Sequence, residues 1–539
     1  MEVLLDPKTE KNYLKLKALR ERTDLALKST PILRESFWMP DGTERELKLR
    51  PYQVQMVFHL LSMKHFLVGD DTGLGKTLET IASLSYLWAM YPDKKAVILA
   101  KKAAVLQWAK EFDKFTTGVN VIVSKGTAKQ RAKAYEEYEA STGPTVLVSG
   151  YRSLIQDVSQ VQDWSDHVLV LDEVSVVKNP GTQAHQLCKH LANQADRVWG
   201  LTATLIKNNL IEGFGIYQVV VPGLFAHNKN SFMNDYCIVR MQKVKGNRQI
   251  PVIVGYRPVD IARFRDTIDP YYLGRPKHSV ASELPILTTR NIELGMTNLQ
   301  KKLYQDALDG LLEKGNGEEK ETDKLTALIY CQQIANHPCL LEYEDAESEK
   351  MDVLVDMLTD GGEFEDQKVI IYTRFRRMVD YAVAYLKKKG VACVRVTGAE
   401  HKEEQRQAAM DTFQDPNSGV NVIWITDAGG DSINLQAAKA LVFFDTPWSA
   451  GDYIQTLGRM IRIGSQHDRV YAIHLIVKGS IDSRVQQVKD KKLTLIEAII
   501  GERVRGEAAP TQVIEVGRGA TQELYAYMVE DAQIGRGKA

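Results

Sequence analysis

Apolar residues fall in two rhythms along this chain. From about residue 47, short apolar runs recur, each followed by a stretch with helical spacing: His65–Val68, 96–100, 145–149, 167–171 and Arg197–Leu201. Runs of four to six apolar residues that end in polar or turn residues suit strands buried on both faces of a parallel sheet. They predict a first α/β lobe over 47–224. The alternation then stops. Residues 225–350 are expected to be a mostly helical insertion and linker, in which 314–324, dense in Glu, Lys and Gly, reads as a loop. Strand-like runs return at 368–373, 392–397, 420–426, 440–445 and Arg469–Val477, which predicts a second α/β lobe over 351–504. Residues 1–46 read as an N-terminal extension and 505–539 as a C-terminal extension with little core. The fold class is thus α/β, with two parallel-sheet lobes and a helical insertion between them. Such sheets bind ligands beyond the C-terminal ends of their strands.

Composition adjusts this picture only slightly. A chain of 539 residues with 44% hydrophobic content supports several cores. Lys plus Arg equals Asp plus Glu, 69 each, so any nucleic-acid surface is a local groove rather than a global field. The cysteines at 188, 237, 331, 339 and 393 include no C-x-x-C, so Cys331, His337 and Cys339 make a poor zinc site. Few cysteines, no basic-then-apolar N-terminal signal and no long apolar span together lead us to expect a cytoplasmic protein without a membrane partner.

Candidate chemistry begins at Phe66-Leu-Val-Gly-Asp-Asp-Thr-Gly-Leu-Gly-Lys-Thr77. A strand runs into a glycine-rich turn, and a helix starts at Lys76. Backbone N–H groups around Gly73 and Gly75 can surround a phosphate at a helix N-terminus. Lys76 would reach the β and γ phosphates, and the Thr77 hydroxyl would hold magnesium. The generic loop has Gly where this chain has Asp70. Further on, a strand ends in Asp172-Glu173. Asp172 can hold the metal and Glu173 can polarise the attacking water, a division suited to phosphoryl transfer. Gln455, Arg459 and Arg462 are spaced i, i+4, i+7 and would share one face of a helix. Two guanidinium groups there could clamp a γ-phosphate as charge develops.

Taken together, these segments resemble the Swi/Snf-type ATPases of helicase superfamily two, over roughly residues 47–492 and with the motifs in the family's order. Leu49-Arg-Pro-Tyr-Gln53 resembles the opening motif, in which the Gln reads adenine, and 69–77 resembles motif I, whose family form also carries Asp at position 70. The resemblance assigns Arg50, Gln53, Asp70, Asp71, Thr72, Gly73, Leu74, Gly75, Lys76 and Thr77 to ATP binding. Residues 98–112 resemble motif Ia, Ser149-Gly-Tyr151 motif Ib, 172–179 motif II, and 201–204 motif III. Tyr272-Leu-Gly-Arg-Pro-Lys277 is similar to the family's brace segment, and Cys331-Gln-Gln-Ile-Ala-Asn-His-Pro338 to its Asn-His-Pro element. Residues 372–375, 426–435 and 455–466 resemble motifs IV, V and VI. The family usually has Ala-His after the motif II carboxylates, where this chain has Val174 and Ser175. That His helps couple hydrolysis to DNA contact in relatives.

The resemblance implies two RecA-like lobes, ATP and Mg2+ as cofactors, and double-stranded DNA as partner. It points to Lys101, Lys102, Tyr151, Lys178, Arg374 and Arg376 as backbone contacts. The leading expectation is an ATP-dependent translocase on duplex DNA, a monomer acting on forked or branched DNA or on a DNA-bound protein. A strand-separating helicase and a nucleotide-binding scaffold without hydrolysis remain as alternatives. Compactness is expected of a bacterial or viral form, in the nucleoid or a host cytoplasm.

Overall fold

The computed structural model describes residues 32–38, 43–158, 164–207, 209–225, 228–244, 248–276, 285–314, 321–397, 403–427, 433–461, 465–500 and 514–515. The chain divides into two compact units, one formed by 1–236 with 259–280, the other by 237–258 with 281–539.

The first unit is built on six apolar runs and two short flanking strands. In chain order they are β1 (Ser36–Trp38), β2 (Glu44–Glu46), β3 (His65–Val68), β4 (Lys95–Ala100), β5 (Asn120–Ser124), β6 (Thr145–Gly150), β7 (Val168–Asp172) and β8 (Arg197–Leu201). Residues 237–258, which belong to the second unit, form β9 (Ile238–Val244) and β10 (Arg248–Tyr256), and residues 259–280 return to the first unit with β11 (Tyr272–Leu273). The main sheet runs β11-β3-β8-β7-β4-β6-β5, and every pairing is parallel. Both faces need cover, so the central strands are almost wholly apolar. Helices Pro51–Ser62, Lys76–Met90 and Val105–Phe115 close one face through Met56, Leu60, Ile81, Leu84, Trp88, Trp108 and Phe112.

Part of the expected N-terminal extension is tied into this unit. Ile32 enters the core, Leu33 bridges to Thr116, and Phe37 meets Phe115 edge-on at 5.3 Å. Three apolar side chains in a charged stretch are enough to anchor it.

The second unit carries β12 (Ile286–Leu294), β13 (Val369–Tyr372), β14 (Cys393–Val396), β15 (Val422–Ile425), β16 (Ala440–Phe443) and β17 (Arg469–Val477). Their order is β12-β17-β16-β13-β15-β14, again all parallel. A separate antiparallel sheet joins β9 and β10 to β18 (Ile514–Glu515). The region expected as a helical insertion therefore also supplies strands, and its pieces are shared between the units: β11 extends the first main sheet and β12 the second. The expected loop at 314–324 is replaced at both ends by helix, since Asn298–Lys314 and Glu321–Asn336 flank residues outside the described set. Straight-chain Glu and Lys favour helix as readily as loop.

Beside the second main sheet, helices Asn298–Lys314, Glu321–Asn336 and Ile481–Ile500 share a small apolar core. Under it lies a buried polar hub. Lys350 pairs with Asp482 at 2.6 Å and donates to Asn336 Oδ1 at 2.8 Å. Asn336 Nδ2 in turn donates to Asp445 at 2.9 Å. The Asn-His-Pro element thus supplies hydrogen bonds at the junction of helix and sheet, and His337 Nδ1 caps the turn Pro338–Leu341 by accepting from Cys339 N–H.

Candidate functional site

The loop between β3 and the helix Lys76–Met90 is shaped by Gly73 and Gly75, with φ of +85° and +95°. At Gly75 a Cβ would stand 2.4 Å from the Gln53 amide. Only glycine supplies this backbone cheaply, and the result is a ring of N–H groups at a helix N-terminus, a ready seat for phosphate. The buried Leu74 anchors the loop, its carbonyl accepting from the Tyr52 hydroxyl at 3.0 Å and from Gln53 Nε2 at 3.1 Å. Gln53 Oε1 accepts from the Arg50 N–H at 3.0 Å. Gln53, expected at the adenine, therefore also holds the loop to the helix Pro51–Ser62. Lys76 Nζ lies across the loop and donates to the carbonyls of Asp70 (2.6 Å) and Asp71 (3.1 Å). Asp71, Thr72 and Thr77 are half-buried beside it.

Asp70 departs from its expected role as a nucleotide contact. It is fully buried, and its carboxylate is taken by Arg275, whose Nε donates at 2.9 and 3.1 Å and whose Nη2 and backbone N–H donate as well. β11 delivers Arg275 there: Gly69 N–H donates to Leu273 and Asp71 N–H to Arg275. Arg275 also donates to Glu79 at 3.3 Å and lies over the Tyr52 ring. Burial raises the Asp70 carboxyl and lifts that of Glu79 well above the usual range, the charge of Asp70 adding to the latter, while Arg275 opposes both. One guanidinium serves two buried carboxyls, so the proton belongs on Glu79. The brace-like segment is thus a clamp on the phosphate loop, and Asp70 is its receptor.

Asp172 closes β7 on the strand two places from β3 in the sheet order. Its Oδ2 accepts from the Trp108 indole N–H at 2.8 Å, and its backbone carbonyl accepts from the Tyr151 hydroxyl at 2.9 Å. Burial pushes its carboxyl up, and the Trp108 bond and the Lys76 charge oppose that. Glu173 follows at φ +51°, ψ 56°, a left-handed conformation that costs a non-glycine residue about 1–3 kcal/mol. Ser175 Oγ donates to Glu173 Oε1 at 2.9 Å. Ser175, which stands where the resemblance led us to expect His, is therefore in direct contact with the carboxylate expected to polarise water.

Thr77 and Asp172 offer hard oxygen ligands. Among the described residues no group of three or more His, Cys, Asp or Glu side chains could hold a metal. That donor set fits magnesium, which keeps water and phosphate oxygens for most of its octahedron.

In the second unit, Gln455 and Arg459 lie on the helix Ala450–Met460. Arg459 is 6% exposed. The helix stops at Met460, Ile461 is extended at ψ 96° and packs against the core, and Arg462, the third residue of the expected face, lies outside the described residues.

The candidate DNA contacts separate. Tyr151 is buried and turned inward onto Asp172, so it is withdrawn as a surface contact. An apolar ring with one polar atom is as well suited to a core strut as to a groove. Lys178 pairs with the buried Glu212 at 2.7 Å. Arg374 stacks on Trp448, 4.2 Å from the ring centroid, and donates to Gln332 at 3.2 Å. Lys102 and Arg376 are exposed and Lys101 is half-buried. Sequence reasoning missed Arg275, Trp108 and Gln332 as parts of these sites. Arg275 carried a signal, since the brace-like segment holds an Arg and the phosphate loop holds Asp70 where the generic loop has Gly.

The SNF2-related domain model matches residues 52–340 and the helicase conserved C-terminal domain model matches 349–464. The ISWI chromatin-remodeling complex ATPase ISW1 of Saccharomyces cerevisiae is 25% identical over 84% of this chain and 40% of its own length. The chromodomain-helicase-DNA-binding protein 1-like of Danio rerio is 28% identical over 85% of this chain and 45% of its own. This chain spans less than half the length of either. A solved Sulfolobus solfataricus SWI2/SNF2 ATPase core in complex with dsDNA aligns over 85% of this chain and 93% of that chain, at 23% identity and a TM-score of 0.39. With the first model covering more than half of its 539 residues and the second following in order, this chain belongs to the SNF2-related family.

Proposed function

We propose that the chain is a DNA-dependent ATPase that translocates on double-stranded DNA. The observation that carries this is the pairing of a phosphate loop, with Lys76 and Thr77 at a helix start, with Asp172 and Glu173 on the same sheet, inside an SNF2-related domain followed by a helicase C-terminal domain. The loop N–H groups seat the triphosphate of ATP, and Lys76 swings from the carbonyls of Asp70 and Asp71 to the β and γ phosphates. Thr77 and Asp172 would hold Mg2+, which when bound neutralises phosphate charge. Glu173 aligns a water with the γ-phosphorus, and Ser175 steadies Glu173. Arg459 and Arg462 stabilise charge on the transferred phosphoryl group. Each hydrolysis cycle changes how the helicase C-terminal domain engages ATP, and that change moves the DNA.

Lys101, Lys102, Arg374 and Arg376 would contact phosphates without reading sequence, as suits a motor that moves along any duplex. Fork or recombination-intermediate remodelling, or displacement of a bound protein, is the work proposed for it, as a monomer acting at the nucleoid or in a host cytoplasm. The test is DNA-stimulated ATP hydrolysis. Lys76→Ala and Arg459→Ala are expected to lower turnover by about a hundredfold or more, and parent-like turnover in either would overturn the assignment. Displacement of a third strand from a triplex, without parting of the duplex, separates translocase from helicase. Rates on duplex, single-stranded and forked DNA identify the preferred substrate.

A further inference from the structure

Trp108 sits on the helix Val105–Phe115, which follows β4, and β4 is the sheet neighbour of β7. Its indole is 2% exposed, inside the apolar cluster of the first unit, with the Phe112 ring centroid 6.3 Å away. The N–H leaves that cluster at one point and donates to Asp172 Oδ2 at 2.8 Å. An indole N–H has no acceptor character, so it can hold a carboxylate oxygen without competing for a cation. A buried N–H must also find a partner or lose its hydration, so the bond fixes Asp172 as firmly as it satisfies Trp108. From the other side, the Tyr151 hydroxyl donates to the Asp172 backbone carbonyl at 2.9 Å. Main chain and side chain of this residue are thus each fastened by a buried aromatic group. The indole fixes Oδ2, and with the main chain held as well the carboxylate keeps a single orientation in which to meet a cation.

We infer that Trp108 is a positioning residue for magnesium: it fixes the orientation in which Asp172 meets the metal that accompanies the nucleotide. This rests on the ATPase reading above and extends it to a residue that touches neither nucleotide nor metal. Partners of this kind, one step behind a metal ligand, typically matter by 10–100-fold in metal affinity or activity.

The experiment measures binding of a fluorescent ADP to the full chain with magnesium and in excess EDTA. Trp108→Phe keeps an aromatic ring and removes the N–H. It is expected to weaken magnesium–nucleotide binding about tenfold and to leave magnesium-free binding unchanged. The magnesium concentration for half-maximal hydrolysis should rise by a similar factor. In an Asp172→Asn background, Trp108→Phe should have little further effect, because the route through Asp172 is already cut. Equal losses with and without magnesium would mean that Trp108 only packs, and would overturn the inference. So would a full tenfold effect that persists in the Asp172→Asn background. If Lys76→Ala hydrolyses ATP as fast as the parent, the ATPase reading itself fails, and this inference falls with it.

Discussion

Glu173 occupies a left-handed backbone conformation at the end of β7, and Ser175 is the side chain that steadies it. Strain of this kind persists only where the surroundings over-determine it. Ser175→Ala removes one hydrogen bond, about 0.5–1.5 kcal/mol, and is expected to lower kcat by about three- to tenfold with little change in ATP affinity. Steady-state kinetics of the variant decides this, and an unchanged kcat would leave Glu173 positioned by its backbone alone. Glu79 makes a second prediction at this scale. Its carboxyl is held well above the usual range by burial and by Asp70, so the native state keeps a proton that the unfolded state loses. Its contribution is greatest below the unfolded value and declines as pH rises above it. Glu79→Gln keeps an oxygen for Arg275 and should raise thermal stability at pH 7. The gain should shrink as pH falls from 7 toward 4.5 and be absent below it in a melting series.

At the scale of elements, the phosphate loop depends on a strand of two residues. β11 is too short to stand alone, and Arg275 fixes it by pairing with Asp70. Removing one partner from a buried pair leaves an uncompensated charge, at about 3–5 kcal/mol. Arg275→Met should therefore cost about that much in chemical denaturation, and Asp70→Asn in the same chain should recover a large part of it. Equal stability of Arg275→Met and parent would show the clamp to be dispensable. Elements also set what could be read in advance. Strands buried on both faces, such as β4 and β6, are continuous apolar runs and were legible. β5 and β12 lie at sheet edges and mix short apolar and polar stretches: β5 reads Asn-Val-Ile-Val-Ser and β12 Ile-Leu-Thr-Thr-Arg-Asn-Ile-Glu-Leu. A run of that kind is not separable from loop or helix by local pattern. The helix carrying Arg459 was legible, but its end before Arg462 was not, because Ile461 leaves the helix to meet a core that the sequence does not display.

For the molecule as a whole, acid is the expected weakness. His337 is pushed down to about 4 by burial, and His474 to about 3 by burial and the nearby Lys489. Both are neutral in the native protein at pH 7. Between the unfolded value near 6.5 and these folded values the unfolded state binds more protons, so stability rises with pH across that window and is lost as pH falls. Unfolding free energy should drop by about 2 kcal/mol per histidine between pH 6.5 and 5. His474 stacks on Phe443 at 4.7 Å, so His474→Phe keeps the packing and should flatten part of the slope in a denaturation series. An unchanged slope would place the acid sensitivity elsewhere. The sequence alone determined the two parallel-sheet lobes, the glycine loop with Lys76 and Thr77, and the acidic pair at 172–173, because each is written in contiguous residues and a local period. Only the tertiary structure decided that Asp70 belongs to Arg275, that Trp108 holds Asp172 and that Asn336 joins Asp445 to Lys350. Those partners are far apart in the chain, and their pairing follows from burial: a polar group withdrawn from water must be matched by whichever partner the fold brings to it.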